Sequence, residues 1–202
     1  YDPSQGLSRL QNLEQRDLLQ ATAVDLVKML IGESGISPHR FGVSGSLLVD
    51  LHSPESDIDI IVYSKEAAKR VQETLFALLQ DGNQFRRYET LDLKALYTRR
   101  RLRRAIRFRD FVLQERRKVF QGKFMRRDYF IRCVKDWGEV TGRYGDTRYR
   151  SLGRCIVSAK IKDDEEGLLT PCKYVLEQVR VLAGLRSRLP IEIVSFLSLI
   201  HI

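Results

Sequence analysis

The stretch FGVSGSLLVDLHSPESDIDIIVY, residues 41–63, decides how this chain reads. Asp57 and Asp59 alternate with Ile58 and Ile60 in a segment of strand character, so both carboxylates project from one face while the isoleucines enter a core. At the usual strand rise their Cα atoms lie roughly 6.6 Å apart. That lets both side chains converge on one divalent cation, or on a pair of ions about 3.5–4 Å apart. Upstream, Gly45 and Ser46 stand where a short strand (41–44) turns into a helix (47–51), and Ser46 precedes Asp57 by eleven residues. Glycine there lets backbone approach a ligand closely, and the amides of a helix start together with the Ser46 hydroxyl can hold phosphate oxygens. Gly-Ser alone is an ordinary turn, and Asp-Ile-Asp alone is a half-exposed strand. Their conjunction at this spacing points to a metal-dependent phosphate site.

Hydrophobic-Gly-Ser followed, after about ten residues, by Asp-hydrophobic-Asp-hydrophobic resembles the signature of the DNA polymerase β-like nucleotidyltransferase superfamily. The nearest likeness is to the small predicted nucleotidyltransferases of prokaryotes, archaea especially. The resemblance implies a nucleoside triphosphate substrate and Mg²⁺ (or Mn²⁺) as cofactor. In that reading Gly45 and Ser46 hold the triphosphate, and Asp57 and Asp59 ligate metal. It also implies a third acid on a neighbouring strand, which completes the metal site and assists deprotonation of the acceptor hydroxyl. Three residues compete for that role. Asp128 opens an apolar strand with Arg132 on its own face and is the preferred choice as catalytic and metal-ligating residue; Asp92 sits at a helix start, where the helix dipole accounts for an acid; Asp110 lies within a basic helix, where local ion pairing does. Lys65, Arg127 and Arg132 could face a triphosphate, but no spacing rule selects among them. The acceptor, whether a nucleic-acid end, a protein hydroxyl or a small molecule, is written in no motif.

At 202 residues with 43% apolar content the chain can bury one substantial core, or a core and a small satellite. The formal charge of +9 and pI near 9.6 favour an anionic partner. The charge is concentrated: residues 99–127 hold thirteen Lys or Arg against only Asp110 and Glu115. Seven arginines between 99 and 109 interleave with Leu102, Ala105, Ile106 and Phe108, which reads as helix with an apolar stripe and makes this region the candidate for contact with RNA or DNA. A solvated helix face is the plainer alternative. Cys133, Cys155 and Cys172 are too few and too dispersed for a disulfide framework or zinc ribbon and read as buried small hydrophobes. His39, His52 and His201 form no ligand set, and Trp137 reads as a packing residue. With no membrane-span-length apolar run and no signal peptide in the sequence, the expectation is a cytoplasmic protein without membrane partners.

The wider pattern predicts an α/β (α+β) fold in which helices flank a mixed, nucleotidyltransferase-like sheet. Leu10 to Ile31 recur at helical spacing as one N-terminal helix, broken by residues 32–38. Ser64 caps a helix ending at Asp81-Gly82, and residues 85–89 form a short strand. Thr90 caps a long helical region bearing the arginines, Gly122 makes a turn, and residues 128–134 form a strand. A domain boundary is expected near residue 150, dividing a nucleotidyltransferase-like domain (1–150) from a small antiparallel β unit (151–202) with strands near 155–161, 173–181 and 191–196 and a turn at 163–167. Two alternatives to an enzyme stay open: a non-catalytic nucleic-acid-binding protein on this scaffold, and a module of a toxin–antitoxin pair.

Overall fold

Strand β2 (Ile58–Tyr63) is the axis of the fold because Ile58, Ile60 and Val62 are fully buried while Asp59 and Tyr63 on the opposite face are only partly covered. The computed structural model describes residues 1–100, 106–143, 145–146, 148–184 and 189–196. Among them are six α-helices, a five-stranded mixed sheet in the order β1-β2-β5-β4-β3, and a separate three-stranded antiparallel sheet β6-β7-β8. β1 (Phe41–Val43) runs antiparallel to β2. β5 (Arg127–Val134) runs parallel to it, with Ile58 opposite Tyr129 and Asp59 opposite Phe130. A parallel pair requires a long crossover. It is supplied by α4 (Lys65–Asp81), β3 (Phe85–Arg86), α5 (Thr90–Arg99), α6 (Phe108–Glu115) and β4 (Gln121–Phe124).

Each boundary of α4 has a local cause. The Ser64 hydroxyl accepts from the Ala67 amide at 3.2 Å, and Gly82 closes the helix in the left-handed conformation. Ala67, Ala68, Val71 and Leu75 face inward and join Leu26, Val27 and Leu30 of α2 (Leu18–Ser34) over the buried face of β2 and β5. Leu75 has no exposed surface, so Leu75→Ala should cost about 2–5 kcal/mol, read from chemical denaturation.

The N-terminal apolar repeat forms two helices, α1 (Pro3–Asn12) and α2, where the pattern predicts one. Asp17 and Gln20 form a reciprocal capping box at the break, with Gln20 N donating to Asp17 Oδ1 at 2.9 Å and Asp17 N donating to Gln20 Oε1 at 3.1 Å. An apolar repeat cannot register this competition from polar side chains. The predicted long arginine helix is likewise divided. α5, whose N-cap is Glu89 and not Thr90, ends with Arg100 as C-cap, and α6 starts after Arg107 in extended backbone. Arg101, Leu102, Arg103, Arg104 and Ala105 lie outside the described residues. Folding back lets Leu93, Leu96 and Tyr97 bury against Phe111, with Tyr97 OH donating to the Ile106 carbonyl. A continuous helix would keep the arginines stacked at like-charge spacing.

Gly122 is not a turn. It lies within β4, where a Cβ would come 2.7 Å from the Arg86 carbonyl oxygen and 3.2 Å from the Tyr129 ring. The reversal falls instead at Met125 and Arg126, both at positive φ (45° and 72°), a two-residue hairpin without its usual Asn-Gly.

In the second sheet β6 (Cys155–Glu166) pairs with β7 (Cys172–Gly184), which pairs with β8 (Glu192–Ser195). β6 extends to Glu166, so the reversal begins at Gly167, later than predicted. The following turn attaches this unit to the main sheet: Leu169 enters the common core, Cys133 and Leu169 form a parallel bridge, and Thr170 N donates to Cys133 O at 2.7 Å. Cys133 and Cys172 are buried as expected, but Cys155 at the first residue of β6 is exposed. Trp137 is also no packing residue: it opens a 3₁₀ turn beyond β5 and is 88% exposed. No helix among the described residues is long and apolar enough to cross a membrane.

Candidate active site

The first turn of the site is made by β1 leading into α3 (Gly45–Leu48). Ser44 N donates to the Asp59 carbonyl at 2.9 Å, which ties the end of β1 to β2. Gly45 then takes φ +58°, and a Cβ at this position would lie 2.1 Å from Asp59 Oδ2 and 3.0 Å from its Cγ. The glycine therefore leaves the space that the Asp59 carboxylate occupies. Ser46 follows on α3, half-buried, its carbonyl accepting from Leu51 N at 3.0 Å.

Asp57 lies one residue ahead of β2 and is exposed, whereas Asp59 is within the strand and half-buried. Burial, and next the charge of Asp57, raise the Asp59 pKa above its ordinary value, while Arg132 opposes the rise. Two carboxylates thus repel across a partly desolvated space, an arrangement that a hard divalent cation with oxygen ligands would relieve. The loop carrying Asp57 is held from three sides. Arg9 Nη2 donates to Asp50 Oδ1 at 3.0 Å, His52 Nε2 lies 2.7 Å from Asp17 Oδ2, and Arg127 donates to the Pro54 carbonyl.

Continuing the β2–β5 register by one residue sets Asp57 level with Asp128, on the face that also carries Asp59, Phe130 and Arg132. Asp128 and Asp57 both act on the phenol of Tyr88, whose pKa is pushed up by burial first and then by these two charges, against Arg99 and Arg100. The Asp128 carboxylate is engaged: Lys123 Nζ lies 2.7 Å from its Oδ1 and 3.4 Å from Asp92 Oδ1. Burial works against the Lys123 ammonium, yet the hydrogen bond and charge of Asp128, with Asp92, raise its pKa overall. Asp92 also accepts from the Glu89 amide at 2.9 Å and lies 3.5 Å from Arg86. Asp110 is exposed in the first turn of α6.

The geometry therefore gathers Gly45, Asp57 and Asp59, and places Asp128 on their face but turned to a lysine that it shares with Asp92. Among the described residues, no three His, Cys, Asp or Glu side chains are grouped to hold a metal ion. Of the three cations considered for a triphosphate, Arg132 faces Asp59, Lys65 lies 3.4 Å from Glu165, and Arg127 is spent on the Pro54 carbonyl. Tyr88 and Lys123 escaped the sequence reading. Lys123 becomes visible only once the hairpin register pairs it with Asp128.

Residues 33–120 match the family model described as a nucleotidyltransferase domain. An uncharacterized protein of Methanocaldococcus jannaschii is 29% identical over 149 residues, which cover 74% of this chain and 44% of that protein. The aligned part thus spans less than half the length of that relative. No solved structure matches the chain. Over residues 33–120 the chain is thus similar to nucleotidyltransferase domains, a likeness consistent with the DNA polymerase β-like superfamily.

Proposed function

We propose that this protein transfers a nucleoside monophosphate from a nucleoside triphosphate to an acceptor hydroxyl, with Mg²⁺ or Mn²⁺ held by Asp57 and Asp59. The observation that carries the reading is the pair of mutually repelling carboxylates beside a glycine that makes room for one of them. A divalent cation bound there would offset the negative charge of the reacting phosphates. The backbone at Gly45 and the Ser46 hydroxyl hold the triphosphate, and Arg132 adds positive charge beside Asp59. The acceptor oxygen bonds to the α-phosphorus, the bond from that phosphorus to the bridging oxygen breaks, and pyrophosphate leaves. Asp128 receives the hydroxyl proton and completes the metal site once Lys123 gives it up, for instance to a phosphate oxygen. Catalysis of this kind is chiefly positioning and charge neutralisation.

The direct test is incubation with each α-labelled nucleoside triphosphate, Mg²⁺ and a panel of acceptors. Labelled product with release of pyrophosphate is the expected outcome. One observation favours a second reading, a non-catalytic nucleic-acid-binding protein on the same scaffold: Lys123 already neutralises Asp128 and Asp92. Absence of transfer with nucleic-acid binding intact would select it, and co-purification with a small toxin-type partner would instead favour the toxin–antitoxin module.

RNA or DNA contact is assigned to the α5–α6 hairpin, where Arg99, Arg107 and Arg109 are exposed. Arg100 is a poor probe, because its guanidinium lies 3.6 Å from the buried Glu115. Arg107→Glu with Arg109→Glu should weaken binding across sequences and lower the slope of log affinity against log salt by roughly 2 or more. Equal affinity of wild type and variant by anisotropy would return these arginines to a solvated face. The division near residue 150 and a cytoplasmic setting belong to the same proposal.

A further inference from the structure

We propose that the cavity beside the C-terminal half of β5 is the acceptor pocket and takes a nucleoside monophosphate unit. This inference rests on the nucleotidyl-transfer reading and deepens it. The cavity arises where the sheet is incomplete. β4 pairs with β5 only over residues 127–130; beyond it Ile131 N reaches the Phe120 carbonyl at 2.7 Å, and Cys133 is bridged by Leu169. The α5–α6 hairpin and the turn at 167–170 enclose the remaining space of about 430 Å³. That lies within the range of small-molecule sites, roughly 300–1,000 Å³.

Its chemistry is divided. Half-buried Phe130, with the Arg132 guanidinium 5.6 Å from its ring centroid, offers an apolar face to the space, and the buried rings of Phe111 and Phe120 close the wall behind it. Arg117 and Arg132 line the same space and match a phosphate, while Arg100 and Lys118 are paired with Glu115. In the wall between them lies Glu115, whose side chain is 3% exposed. Lys118 Nζ donates to its Oε1 at 2.5 Å and Gln121 Nε2 donates to Oε2, which leaves lone-pair capacity for an amino group on a base. A pocket for an acyl chain would not need Arg117 and Arg132, and one for a bare anion would not need an apolar wall. Arg132 links the cavity to the reaction, because it lines the wall and also acts on Asp59. A molecule held here would share Arg132 with the Asp59 carboxylate.

A free nucleoside monophosphate and the 3′-terminal nucleotide of an RNA offer the same chemistry. The test measures binding of the four ribonucleoside monophosphates, and of a short RNA with a free 3′-hydroxyl, to the full chain without metal. Gln114 and Arg117 line the cavity from exposed positions, so Gln114→Trp and Arg117→Glu should fold normally. We expect each to weaken binding at least tenfold while Mg²⁺-dependent triphosphate binding, which Asp59→Asn should abolish, is unchanged. Response to free nucleotides identifies a small-molecule acceptor, and response to the RNA alone identifies a chain end. Binding by neither, or equal binding in Gln114→Trp, would overturn the assignment. Loss of the Mg²⁺ dependence in the wild type, with nucleotide binding at the cavity intact, would sink the catalytic reading and leave a nucleotide site.

Discussion

Asp59→Asn should abolish Mg²⁺-dependent nucleotidyl transfer, by a factor of at least about 10²–10³, the loss typical of a group that stabilises transition-state charge. The same substitution should make the metal-free protein more stable, not less. Burial and the neighbouring Asp57 raise the pKa of Asp59 above 3.8, so the folded protein binds this proton more tightly than the unfolded chain does. The stabilisation from that proton is complete below the unfolded pKa and is lost as pH rises through the folded one. Metal-free wild type should therefore lose stability with rising pH in the interval just above 3.8, and Asp59→Asn should lack that loss. Mg²⁺ should restore stability to the wild type at neutral pH and do little for the variant. Thermal denaturation across pH, with and without Mg²⁺, reads all of this; a variant less stable than wild type throughout would mean that Asp59 serves the fold.

Gly45→Val is the second substitution with a large expected effect. At φ +58° a side chain strains the backbone by roughly 1–2 kcal/mol. Here the Cβ would also sit 2.1 Å from Asp59 Oδ2, a separation that requires the carboxylate to move. Stability should fall modestly, because Gly45 is exposed and outside the core. Transfer should fall by about 10² or more, as displacement of a reacting group on the order of 1 Å is that costly. Ser46→Ala, which keeps the backbone, should be milder. Turnover in Gly45→Val near that of the wild type would detach Asp59 from the chemistry.

The parts of this fold legible in the sequence are those where one short-range pattern decides the outcome. The alternation Asp57-Ile58-Asp59-Ile60 defines which face of β2 is buried, and Ser64, through its hydroxyl, and Gly82, through its left-handed backbone, bound α4. What stayed hidden depends on competition between distant or atypical partners. The Asp17–Gln20 capping box splits an apolar repeat that runs straight through it, and the Met125-Arg126 hairpin lacks the residues that usually announce such a turn. The same holds for the site. Gly45 and Asp59 are linked by spacing within one motif, whereas the contest of Asp128 and Asp92 for Lys123 follows from strand order and hairpin register, which no local signal carries.

The most direct test of the central claim is equilibrium binding of labelled nucleoside triphosphates to wild type, Asp57→Asn and Asp59→Asn, each with and without Mg²⁺. A divalent ion shared by the two carboxylates and the triphosphate predicts binding in the wild type that strengthens at least tenfold with Mg²⁺, and variants in which that increment vanishes while the folded structure persists. Binding that is the same with and without Mg²⁺, or a Mg²⁺ increment that survives in both variants, would contradict it.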